Sequence, residues 1–378
     1  MSANSYLISK GIMVLSVHYL RGLAALVVVC FHYRHYLNES FPVVNIGDIL
    51  FSNGAFGVDL FFIISGFIIC YSTRRTERFR TLGFVLKRGF RIYPLLFFSL
   101  FLFILLFDTQ DHSLLSSFIP LHADYEARGP TYGFHLHSPV WTLTYELAFY
   151  LLFALTLLFT QRHRLVLAIG GIVTVFLGLQ LLMHDSISLN TEQKISTALP
   201  DWSTPLMAIF SSPMVLEFAL GIILYAIYRH LPSLQVRHRL WLGHCSLVVA
   251  ALSALGLYLP FFEGHGPVNW GLPAFTLLLS LLIYEQQKGL PEIKTLKFLG
   301  NISFSLYLMH MIVIKLMRKY EIAQNRYGLI VFVSALLMSI AISYCTFVLI
   351  EQKAARLCRN LLGTLNKIPS PRTLFQGS

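Results

Sequence analysis

Ten apolar blocks, each roughly 16 to 23 residues long, divide this chain, and a helix needs about that length to cross a bilayer at 1.5 Å per residue. They cover residues 17–36, 54–71, 90–107, 141–160, 165–183, 206–228, 240–260, 267–284, 302–317 and 328–350. The eighth is the weakest, because Pro267 and Pro273 interrupt it. Composition points the same way: 56% of the 378 residues are hydrophobic and 12% are charged, where a soluble domain carries about a quarter charged residues. The expected fold is an all-α integral membrane protein, a bundle of about ten transmembrane helices with both termini cytoplasmic.

The net charge of +11 suggests membrane topology before nucleic acid, since cytoplasmic loops retain Lys and Arg. With the N-terminus inside, about 21 of the 29 Lys and Arg residues fall on the cytoplasmic side. The decisive segment is TRRTERFRTLGFVLKRGFR, with Arg74, Arg75, Arg78, Arg80, Lys87, Arg88 and Arg91. Arg318, Lys319 and Arg326 oppose the rule near the last hairpin. The start MSANSYLISK lacks the pattern of a cleavable signal peptide. Cys30, Cys70, Cys245, Cys345 and Cys358 show no paired spacing, so neither a disulfide framework nor a metal site is expected.

Residues 1–360 read as one membrane domain, followed by a basic tail over 361–378 whose final TLFQGS resembles a viral 3C-type protease recognition sequence. The longest interhelical stretch, 108–140, lies outside. Its Pro120, Gly129, Pro130, Gly133 and Pro139 suit an ordered cap or re-entrant segment as well as a flexible loop. No internal repeat points to a duplicated transporter.

Polar groups in hydrocarbon are costly unless paired, so each one inside a block is a candidate for function. Arg21 and His32 stand eleven residues apart in YLRGLAALVVVCFHYRHY. Eleven helical steps return to within about 20° of one face and rise roughly 16 Å. Arg21 then sits near the cytoplasmic surface, with His32 deep on the same side. Asp59 and Ser65 lie on the second helix, where Gly57 and Gly66 permit close backbone approach. Glu146 is an intramembrane carboxylate able to orient an imidazole, while Glu217 reads as a structural ion-pair partner. His310 follows Ser303, Ser305 and Tyr307, and Ser303 and His310 fall nearly on one face.

These residues resemble the landmarks of membrane acyltransferase family 3, in order along nearly the whole chain. The spacing of Arg21 and His32 is similar to the family's R-X10-H motif. FGVDLFFIISGFII, KRGFRIYP, VWTLTYELAFYLL, VLEFALGIIL and ISFSLYLMH are similar to its later signatures. The chain departs from the pattern after Glu351, where Gln352 and Lys353 stand and many members have a proline. It resembles the stand-alone form, without a fused SGNH hydrolase-like domain.

The resemblance implies a cytoplasmic acyl-CoA donor, usually acetyl-CoA, as co-substrate, with no permanently bound cofactor. It implies an extracytoplasmic hydroxyl acceptor, commonly a sugar of a surface polysaccharide or lipopolysaccharide, and a multi-pass location in a bacterial cytoplasmic membrane. The bilayer is the remaining partner. We assign His32, Arg21 and Glu146 as catalytic, Arg88, Arg91 and Ser65 as donor-binding, and His310, Ser305, Tyr307 and Asp59 as substrate-site candidates. Two schemes stay open, direct transfer with His32 as base and transfer through an acylated His32. The competing classes are a glycan or small-molecule transporter, and a metalloenzyme built on His32, His35, His310 and Glu146.

The orientation is testable by cysteine labelling. A cysteine placed at Thr76 is expected to stay unlabelled by a membrane-impermeant thiol probe in intact cells and to react after permeabilisation; labelling before permeabilisation reverses the topology.

Overall fold

The computed structural model describes residues 13–38, 42–75, 78–107, 118–122, 124–134, 136–194, 203–231, 239–259, 261–320 and 328–367. Thr76, the opening MSANSYLISK, Arg326 and the terminal TLFQGS lie outside the described residues. Each of the ten apolar blocks forms helix. The order is α1 (Leu15–Tyr33), short α2 (Ile46–Phe51), α3 (Gly57–Ser72), α4 (Arg80–Leu106), α5 (Trp141–Phe159), α6 (Arg164–His184), α7 (Thr204–Ser211), α8 (Val215–His230), α9 (Arg239–Tyr258), α10 (Gly271–Lys288), α11 (Lys294–Lys319), α12 (Leu329–Thr346) and α13 (Gln352–Lys367).

Among the described residues, eight helices are long and apolar enough to span a membrane, and the pair α7 and α8, bent by 53°, makes a ninth. The remaining block, the eighth, forms α10 and falls short for a reason other than its prolines. Pro267 precedes the helix and Pro273 lies in its first turn, where no intrahelical N–H bond is lost. Its polar end, Glu285 to Lys288, lowers the apolar average. That end has a partner: Glu285 accepts from the backbone N–H groups of Leu15 and Ser16 at 2.8 and 2.9 Å and from the Ser16 hydroxyl at 2.5 Å. A carboxylate from α10 thereby satisfies the exposed amides of α1 and sits at the positive end of its dipole.

Long-range hydrogen bonds identify the two ends of the bundle. At the basic end, Gln161 donates to the Thr73 carbonyl at 2.6 Å and Tyr19 to the Pro291 carbonyl at 2.9 Å. At the other end, Gly328 N–H reaches Tyr36 at 2.8 Å and Asn53 reaches Tyr258 at 3.1 Å. Lys319, out of place by the charge rule, donates to the Leu106 carbonyl at the C-terminus of α4, a position that favours a cation.

The described part of 108–140 is an ordered cap. His122, Tyr132 and His137 are buried in it. Tyr132 donates to the Ala208 carbonyl at 3.2 Å, and Tyr145 of α5 donates to Pro130 at 3.0 Å. Helix α13 continues from α12 through a single π-turn, Phe347–Glu351, and runs through residue 361 to Lys367. With no proline after Glu351, nothing there stops the helix.

Close backbone contacts at small residues hold the helices in place, as Gly57 and Gly66 suggested. A Cβ on Gly57 would lie 2.6 Å from the Ala24 carbonyl of α1, and one on Gly66 only 2.3 Å from the Phe218 carbonyl of α8. Gly221 meets Gly66 from the other side. Gly66→Ala is therefore expected to destabilise the protein by about 1–3 kcal/mol through overpacking. Gly178→Ala, on a face of α6 with open space, is expected to be neutral or to stabilise by up to about 1 kcal/mol. Thermal unfolding in detergent distinguishes them, and equal midpoints would remove the backbone contact as the cause.

Candidate active site

Helix α1 is unbroken from Leu15 to Tyr33, so Arg21 and His32 keep the shared face that their spacing dictates. Glycine brings this helix against α11: a Cβ on Gly22 would lie 2.6 Å from the Gly300 nitrogen. Arg21, one residue earlier, donates through Nη2 to the Gly300 carbonyl at 2.6 Å. At the far end of the same interface the rings of His32 and His310 stand 5.1 Å apart, centre to centre.

A cavity of about 760 Å³, partly open to solvent, occupies the space between α1, α3, α4, α5 and α11. Its polar wall comprises Arg21, Ser65, Arg88, Arg91, Thr142, Glu146, Tyr150, Ser303 and Tyr307, and its apolar wall includes Phe61, Phe62, Ile64, Ile68, Ile92 and Phe304. Six of the ten candidate residues thus meet around one space. Arg88 and Arg91 reach it because α4 starts at Arg80 and runs helical through the whole KRGFRIYP segment.

Three guanidinium groups against one carboxylate make the cavity electropositive. Glu146 accepts from Ser65 at 3.1 Å and from Tyr150 one turn further along α5. Its partners are thus hydroxyls rather than the imidazole it was read as able to orient. Arg88 donates to the Ser72 hydroxyl at 2.9 Å and lies 5.3 Å from the centre of the Tyr150 ring. The Nε atoms of Arg21 and Arg88 are buried without an acceptor among the described residues. Unmet charged donors of this kind favour an anionic ligand. A second cavity of about 420 Å³ shares Arg88 and adds Arg75, Arg80 and Lys87, so positive charge continues toward the basic end.

Four candidates lie outside the main cavity. Ser305 is two residues from Tyr307 and turns to the opposite side of α11, donating to Glu351 Oε1 at 2.5 Å. Glu351 also accepts from Arg91 at 2.6 Å. Asp59 accepts from His265 Nδ1 and from the Gly266 N–H, both at 2.8 Å. His32 and His310 form their own pair, joined to the cavity through Tyr307, whose ring centre is 6.0 Å from that of His310. Glu217 makes no ion pair among the described residues and is buried near Asp59. The four groups of the metalloenzyme reading do not converge: His35 faces Asp48 at 3.9 Å, away from the pocket that holds Glu146.

Three residues of these networks carried no assigned role in the sequence reading. Tyr150 was legible in principle, being four residues after Glu146 on one helix face. His265 sits in a loop with no periodicity to flag it, and the partnership of Glu351 with Arg91 joins positions 260 residues apart.

The model of an acyltransferase domain family, the third of that name, matches residues 14–348. The exopolysaccharide production protein ExoZ of Rhizobium meliloti (strain 1021) is 27% identical over 321 residues, spanning 81% of this chain and 91% of that relative. No solved structure matches the chain.

The ion pair of α4 with Glu351 has a directional consequence. Removing Arg91 strands a carboxylate that is only 4% exposed, whereas removing Glu351 releases a guanidinium that is 33% exposed. Arg91→Ala is expected to lower the thermal midpoint in detergent more than Glu351→Gln does, and Arg91→Lys to fall between wild type and Arg91→Ala. The reverse order would mean that Arg91 is the buried partner.

Proposed function

Because the chain belongs to the membrane acyltransferase family 3, we propose that it transfers an acetyl group from acetyl-CoA, bound at the basic cytoplasmic end, to a hydroxyl of an extracytoplasmic glycan. The observation that carries this reading is the meeting of Arg21, Arg88 and Arg91 in one cavity, with the His32 and His310 pair beyond it. The phosphates of CoA are matched by the guanidinium groups, with Arg75, Arg80 and Lys87 at the approach. The apolar wall suits the pantetheine arm. Participation of the R. meliloti relative in exopolysaccharide production supports an exported polysaccharide as acceptor, and the basic end supports a cytoplasmic donor side in a cell's inner membrane.

His32 is the general base. A hydroxyl is a poor nucleophile at neutral pH, and a neutral imidazole takes its proton as the oxygen attacks the thioester carbonyl. Collapse of the tetrahedral intermediate breaks the C–S bond, and the same imidazole returns the proton to the departing thiolate. Arg21 orients the donor from the other end of α1, and Glu146, fixed by Ser65 and Tyr150, lines the path between them. Ser65 belongs to the donor wall through that contact.

Purified protein with radiolabelled acetyl-CoA, and surface glycan isolated from cells lacking it, provides the test. Acetyl transfer is expected to require both. His32→Ala should lose at least about a hundredfold in rate while still binding acetyl-CoA, and Arg88→Ala should weaken acetyl-CoA binding roughly tenfold to a hundredfold. Near-normal transfer by a folded His32→Ala protein would eliminate the base. Glycan export without acetyl transfer would favour a transporter.

A further inference from the structure

His310 lies on α11 with its ring wholly buried. Its Nδ1 is 3.2 Å from the Leu306 carbonyl. A carbonyl only accepts, so Nδ1 carries the proton and Nε2 presents a bare lone pair. That Nε2 is buried and has no hydrogen-bond partner among the described residues. An unpaired acceptor in a membrane interior is costly, and such groups are retained where they meet a partner during function.

The turn that carries His310 is fastened from several sides. Tyr33, the residue after His32, donates to the His310 carbonyl at 3.0 Å and shares a 2.5 Å hydrogen bond with Ser339 of α12. His137 of the cap donates to the Leu308 carbonyl at 2.9 Å. These bonds fix the two imidazoles in register across the interface of α1 and α11, with ring centres 5.1 Å apart and planes inclined at 38°. At that separation, two imidazoles set edge to edge hold a nitrogen of each within hydrogen-bond reach. The other charged groups bearing on His32 are Arg34 and Arg318, and the titratable group bearing on His310 from the cap is His137. None is a carboxylate able to receive a proton-bearing His32.

We propose that His310 is a positioning residue for His32, its Nε2 accepting a hydrogen bond from the imidazolium that His32 becomes during transfer. The inference rests on His32 being the base. The acceptor O–H bond breaks and its proton passes to His32; the oxygen bonds to the acyl carbon. The C–S bond then breaks, and the proton goes from His32 to the thiolate. His310 keeps its own Nδ1 proton throughout and gains and loses only the hydrogen bond. The role parallels that of the group that orients the histidine of a catalytic triad, filled here by a neutral acceptor suited to hydrocarbon.

Steady-state transfer from radiolabelled acetyl-CoA to isolated surface glycan tests this in the full-length protein. His310→Leu is expected to lower kcat at least about tenfold while the KM for acetyl-CoA stays within about twofold, because the residue acts through the base and touches no donor. His310→Gln, whose carbonyl oxygen restores an acceptor, should recover most of that loss. In the His32→Ala background, His310→Leu should cost nothing further. Should the leucine variant not fold, His310→Phe keeps the ring volume and takes its place. A full kcat in a folded His310→Leu protein, a loss that multiplies with that of His32→Ala, or a glutamine variant as impaired as the leucine one would each overturn the proposal. If His32→Ala is itself nearly normal, the base assignment fails first; if it is inactive while His310→Leu is unaffected, only the role of His310 is lost.

Discussion

Hydrocarbon supplies no hydrogen bonds, so every polar side chain carried into the bundle depends on a partner brought by another helix. Most find one. Arg91, Glu351 and Ser305 satisfy each other across α4, the π-turn and α11, and Asp59 is answered by His265 and Gly266. Glu146 is held by two hydroxyls. Several groups have none among the described residues, among them the Glu217 carboxylate, Arg164 Nε and Trp270 Nε1, and three of them lie along the proposed path: Nε of Arg21 and of Arg88, and Nε2 of His310. The first two border the electropositive cavity, and the third belongs to the ring beside His32 at the α1 and α11 interface. These three stand where a substrate or a moving proton would complete them.

The same constraint makes small residues decisive. Lipid tails are as apolar as leucine, so helices gain little from burying apolar surface against each other and rely on close packing and polar contacts. Gly22 against Gly300 lets α1 and α11 approach until Arg21 reaches a carbonyl and His32 reaches His310. Gly66 against Gly221 does the same for α3 and α8, which sets the wall of the cavity that Ser65 lines. Packing and site geometry are thus one arrangement.

Much of this was legible in the sequence, and the reasons are specific. Residues that share one helix keep fixed angular relations, so the common face of Arg21 and His32 followed from eleven steps of α1, and the lengths of the apolar blocks dictated the spans. Angular relation also separates Ser305 from Tyr307, two residues apart and nearly opposite, although a motif reading groups them. What one helix cannot reveal is its neighbour. The partners of Asp59 and Arg91 lie more than 200 positions away, and so does Leu15, whose backbone N–H donates to Glu285 of α10 just beyond the end of the eighth block. The ordered cap was left undecided because its burial depends on contacts with α5, α7 and α11.

Helix α1 also acts as a ruler for the chemistry. Its two functional groups are separated by about three turns, roughly 16 Å, too far for one reacting centre and well matched to two substrates that stay on opposite sides. A highly charged nucleotide and a hydrated sugar are both expensive to carry across hydrocarbon, whereas a thioester on a thin, largely neutral arm is not. The cavity gathers its cations at the basic end and offers mainly aromatic and hydroxyl surface toward Tyr307, so charge diminishes along the path that the acyl group would travel. A bundle arranged this way needs only the acyl group and one proton to move within its low-dielectric interior. It is there that a neutral histidine pair, carrying no net charge at rest, costs less to maintain than a histidine and carboxylate pair.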